Sequence, residues 1–161
     1  EGRELSSDNR FTARGRLLYN GYDRRLERGT PFKKTLAGYL AKMVPKAAGP
    51  PAYPATRAKR YFERTLELFN ARGVEPVLVI MPYHPAALAA FRAAGWGAKE
   101  DDFLSYLALL RWRYRFHLVD YTDIASFGGA EDAFYDGSHV TAANARRILQ
   151  RVVKDAPYAF R

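Results

Sequence analysis

Apolar positions recur at helical spacing from Thr56, where Ala58, Tyr61, Phe62, Thr65, Leu66 and Phe69 define one face. This spacing predicts an amphipathic helix that Thr56 can cap and Gly73 can stop. The next stretch, "VEPVLVIMP", is a short continuous apolar run rich in β-branched residues and closed by Pro82. Such a run reads as a strand buried on both faces of a parallel sheet. "PAALAAFRAAGW" predicts a short helix, and "KEDDFLSYLALLRWRYRF" a longer one with acids in its first turn and arginines in its last. "HLVDYTD" reads as a second strand. A final helix is expected from about Thr141, with Ala145, Ile148, Leu149, Val152 and Val153 on one face.

The first 55 residues carry no comparable period. Gly15, Gly21 and Gly29 interrupt every candidate repeat, which suggests irregular or insertion-like structure. "TLAGYLAKMV" (35–44) predicts one short helix, and "PKAAGPPAYPAT" reads as a connector. From Thr56 the order is helix, strand, helix, helix, strand, loop, helix. That alternation implies one α/β domain with a mainly parallel sheet covered on both sides. Two strands are too few for such a sheet, so more are expected from the first 56 residues or from sequence beyond the chain.

Composition narrows the partners. The 161 residues carry 26 Lys and Arg against 17 Asp and Glu, a net charge of +9, and the isoelectric point is about 9.9. The excess suits an anionic partner, but the arginines are scattered at spacings typical of solvated helix faces. No helix-turn-helix spacing, RNP pattern or zinc signature supports nucleic acid. The lack of cysteine excludes disulfides, thiolate metal sites and a cysteine nucleophile. No apolar run of about 18 residues predicts a membrane span. The opening "EGRELSSDNR" has no initiator Met and no signal-peptide pattern, so the chain is expected to be part of something longer.

Ligands of open α/β sheets bind beyond the carboxyl ends of the strands. Tyr83 and His84 follow the first strand, Asp120 and Asp123 end the second, and Asp136 and His139 precede the last helix. His117 opens the second strand at the opposite edge and reads as structural. A carboxylate three positions from His139 can orient the imidazole through one nitrogen, leaving the other to accept a proton from a hydroxyl. The same residues also fit a plain Asx-turn with an exposed histidine. His84, between Pro82 and Pro85, either lines a groove or belongs to a rigid turn. A metal site built from His84, His139 and Asp136 has no ligand spacing behind it, and no cofactor is expected.

"DGSH" (136–139), followed by "VTAANARRIL", resembles the last motif of the SGNH (GDSL-like) hydrolase superfamily, a D-x-x-H loop ahead of the C-terminal helix. "EPVLVIMPYHP" looks like that fold's penultimate strand and loop, and "HLVDYTD" like its last strand. The resemblance covers roughly residues 56–155. It implies a flavodoxin-like three-layer α/β/α sandwich, incomplete at the N-terminus, that hydrolyses or transfers ester-linked acyl groups. Asp136 would orient His139, and His139 would serve as general base and then acid for a serine nucleophile, with Tyr83 and His84 in the substrate groove. The substrates implied are acylated glycans, lipids or envelope polymers, in an extracytoplasmic setting. The family's early G-D-S turn is not visible. Ser6 and Ser7 follow no strand, Ser105 falls in a helix, Ser126 in a loop, and Ser138 adjoins His139. The expected nucleophile therefore lies outside this chain. The alternative is a degenerate, non-catalytic domain that holds an anionic polymer on its basic surface.

Overall fold

A computed structural model of the chain describes residues 9–11, 17–19, 31–49 and 56–160. Strands β1 (Asn9–Phe11) and β2 (Leu17–Tyr19) pair antiparallel in a ribbon of their own. They do not extend the main sheet, and the further strands expected from the first 56 residues or from sequence beyond the chain are not among the described residues. The other residues of the first 30 lie outside the described set.

Helix α1 spans Phe32–Ala48, well beyond the predicted 35–44, and includes Pro45 from the expected connector. An interior proline removes a backbone donor and would normally stop the helix. Two tertiary contacts carry it one turn further. Ala47 is buried against Ala87 and Phe91, and Lys99 Nζ donates to the carbonyl oxygens of Ala47 (2.6 Å) and Lys46 (3.5 Å). An ammonium there satisfies carbonyls left unpaired at the helix end and complements the macrodipole.

Helix α2 (Thr56–Ala71) is followed by Gly73 in the left-handed region, φ 70°. Its buried stripe is narrower than predicted. Leu66 is buried and Phe62 half-buried, whereas Tyr61 and Phe69 are exposed. The reason is the partner surface: Phe62 and Leu66 pack on Leu107, Leu110 and Phe116, a contact one stripe wide.

Strands β3 (Val77–Ile80) and β4 (His117–Asp120) are neighbours and parallel, from Val77 opposite His117 to Ile80 opposite Asp120. Alternation along a strand sends successive side chains to opposite faces. Leu78, Ile80 and Leu118 join the cluster with α2, while Val77, Val79 and Val119 pack against Ile148, Val152, Tyr121 and Phe127. The result is a mixed α/β fold, a small parallel two-stranded sheet with helices on both faces.

Helices α3 (Pro85–Ala93) and α4 (Trp96–Leu110) make the crossover between the strands. Gly95, at φ 88°, supplies the left-handed break between them. Helix α4 starts three residues earlier than predicted because Trp96 packs on Phe91 and Tyr83. It also stops sooner. The acids therefore follow its first turn, and Arg111, Arg113 and Arg115 lie in the turn leading to β4. The last helix, α5, spans Ala142–Asp155. Asn144, Ile148 and Val152 face the core, while Leu149 and Val153, predicted on that face, are 65% and 48% exposed. Among the described residues, no helix is long and apolar enough to cross a membrane.

Candidate functional site

The backbone gathers the sequence-predicted residues at the carboxyl edge of the sheet. Tyr121 N–H donates to Ile80 O and Tyr83 N–H to Thr122 O, extending the β3–β4 pairing past the strands. His84 N–H then donates to Gly137 O at 3.0 Å, tying the "PYHP" segment to the 136–139 loop. The loop closes on itself through a Phe134–Val140 bridge and the bond from Tyr135 N–H to His139 O at 2.7 Å. Asn144 fixes its upstream arm. This fully buried amide accepts from Ala130 N–H and donates to Ala130 O, both at 2.9 Å.

Within the loop, one carboxylate holds both the backbone turn and the imidazole. Asp136 is buried, and its Oδ1 accepts the backbone N–H groups of Ser138 (2.8 Å) and His139 (2.9 Å). Its Oδ2 lies 2.8 Å from His139 Nδ1. The Asx-turn and the oriented imidazole, alternatives in the sequence, thus coexist. With the carboxylate as acceptor, Nδ1 carries the proton and Nε2 is the basic nitrogen. The His139 side chain is 47% exposed, so this nitrogen sits on a half-open surface.

Ser138 Oγ is 3.4 Å from His139 Nδ1, the nitrogen already held by Asp136, so it is not placed for activation by Nε2. Ser126 donates to Asp123 O, and Ser105 is exposed on α4. Ser6 and Ser7 lie outside the described residues. Asp120 and Asp123 each accept the N–H two residues on, as turn-forming carboxylates do.

Tyr83 and His84 part company. Tyr83 packs edge-on against Phe91 and Trp96 and lines a cavity of about 290 Å³ with Ile80, Met81, Phe103, Leu104 and Ser138. Lys99, Glu100 and Asp120 add charge to the otherwise apolar wall. Burial raises the Tyr83 phenol above its ordinary range, with Tyr39 and Glu100 adding to the shift. His84 is not among the residues lining this cavity, and its surroundings are those of the rigid turn that the sequence offered beside a groove role. Its ring is buried between Phe32 and Phe134 (centroids 5.2 and 5.5 Å), and Nδ1 accepts Ala86 N–H at the start of α3. Burial lowers its pKa. Pro85, in the first turn of α3, sets this capping geometry. His117 stays at the opposite edge, 3.2 Å from Glu75 Oε1. Among the described residues, no group of three His, Asp or Glu side chains could hold a metal ion.

Sequence reasoning missed Tyr39 of α1. Its hydroxyl is hydrogen-bonded to Ser138, and its ring lies where a Cβ on Gly137 would stand. Burial raises its pKa, the Ser138 bond opposes the rise, and the Asp136 charge adds to it. Nothing in "TLAGYLAKMV" marks that tyrosine as part of a site nearly a hundred residues away. Asn144 was more legible, as a polar residue on the inward stripe of an amphipathic helix. No family model matches the sequence, and no curated protein or solved structure matches it either.

Proposed function

We propose that the chain carries the Asp-His part of an SGNH-type acyl-ester hydrolase or O-acyltransferase, with a flavodoxin-like sandwich completed outside the described residues. The observation that carries this reading is the Asp136–His139 pair, with Nδ1 2.8 Å from a buried carboxylate, at the carboxyl edge of parallel strands. In this reading Nε2 takes the proton of a serine supplied from outside the described residues as its oxygen attacks the ester carbonyl. The imidazolium returns that proton to the departing alkoxide, leaving an acyl-serine that water or an acceptor hydroxyl resolves. The apolar cavity reached through Ser138 and Tyr83 suits the acyl group, and its charged wall suits a polar carrier such as an envelope glycan.

The test is hydrolysis of p-nitrophenyl acetate by the native protein that carries this domain. His139→Ala lowers the rate by about 10²- to 10⁴-fold, the usual range for a general base. Asp136→Asn lowers it by a similar or smaller factor, since it acts through the ring. An unchanged rate in His139→Ala removes the catalytic reading. Native protein that holds an anionic polymer but hydrolyses no ester supports the non-catalytic alternative, for which the net charge of +9 speaks.

A further inference from the structure

The amino edge of the sheet, opposite the candidate site, carries an unusual turn. Between Leu110 and Phe116, both buried, the chain runs Arg111-Trp112-Arg113-Tyr114-Arg115. Trp112 is 88% exposed and Leu109, three residues earlier and on the same side, is 67% exposed. Indole and leucyl groups normally leave water, so two projecting together form an apolar tip. The turn is rigidly held. Asn70 accepts from Arg115 N–H at 2.7 Å and donates to the carbonyls of Arg115 (2.8 Å) and Val74 (3.1 Å). This clamp joins the turn to the loop before β3, where Val74 is 46% exposed.

Cations ring the tip. Arg113 is engaged by Glu63 at 3.3 Å and lies over the Tyr114 ring. Arg111 and Arg115 are exposed and make no ion pair among the described residues. A tryptophan and a leucine flanked by arginines match the interface of an anionic bilayer, where the ring sits at headgroup depth and guanidinium groups meet phosphates. We infer that the Leu109–Arg115 turn is a membrane-docking tip for anionic lipid surfaces. The leucine decides against nucleic acid, on which an indole could stack but Leu109 would have no role. The net charge of +9 draws the whole molecule to such a surface.

The experiment is co-sedimentation of the chain with vesicles of phosphatidylcholine, alone or mixed with phosphatidylglycerol. Tryptophan quenching by brominated lipid is read in parallel. Binding is expected only with the anionic vesicles, with quenching that Trp112→Phe reduces. Trp112→Ala, Leu109→Ser and the pair Arg111→Gln, Arg115→Gln each weaken partitioning by about tenfold, as expected when an anchor or two cations are removed. All four positions are exposed, so circular dichroism should report an unchanged fold. Absence of vesicle binding overturns the inference, as does binding indifferent to Trp112 and Leu109. Capture by DNA or heparin without vesicle binding, lost on changing the arginines, reassigns the tip to a soluble polyanion.

Discussion

His84 ties a proton to the stability of the site's framework. Its Nδ1 accepts the Ala86 N–H, so the ring must be neutral there, and two aromatic rings enclose it. Burial depresses the native pKa below the ordinary value of about 6.5. The unfolded chain therefore binds the proton more readily than the native protein. Stability from this group is complete above about pH 6.5 and is lost as pH falls toward the lower native value. Urea unfolding midpoints should thus decline as the pH falls below about 6.5. In His84→Asn, whose side chain can still cap the helix but does not titrate, that part of the decline disappears. A slope identical to wild type would show that His84 does not carry it.

At the scale of elements, the 136–139 loop is held by a helix remote from it in sequence. A methyl on Gly137 would overlap the Tyr39 ring, so Gly137→Ala should cost about 1–3 kcal/mol, the usual cost of overpacking. Tyr39→Ala removes the larger obstacle and leaves Ala87 Cβ at 3.1 Å, so the double variant should be more stable than the two single effects added, as a double-mutant cycle would reveal. Strict additivity would deny the contact. This pairing also explains what the sequence could and could not disclose. β3, β4 and the D-x-x-H turn were legible because each is specified locally, by a β-branched run or by an Asp binding N–H groups two and three residues on. Tyr39 on Gly137, Lys99 sustaining α1 past Pro45, and the inward turn of His84 are long-range contacts that no local period encodes. Helical spacing marked which residues of α2 and α5 are apolar. Their partners decided how many of those positions are covered, leaving Phe69, Leu149 and Val153 outside.

Across the whole molecule, two apolar clusters share one four-residue strand pair, Leu66, Leu107 and Leu110 on one face and Ile148 and Val152 on the other. Because both rest on the same strands, they should melt together. Leu66→Ala, expected to cost about 2–5 kcal/mol, and Val152→Ala should each lower the midpoint of a single transition seen alike by fluorescence and circular dichroism. Separate transitions would mean that the faces fold independently. The shortness of those strands has another consequence. At about 3.3 Å per residue, β3 and β4 put about 13 Å between the Trp112 turn and the His139 loop. The sheet is a spacer. A molecule seated by its amino edge would hold the imidazole beyond the roughly 10 Å screening length of 0.1 M salt, clear of the headgroup field. Within its reach would be chains that stand off the bilayer, and the lipid carbonyls beneath would be out of range.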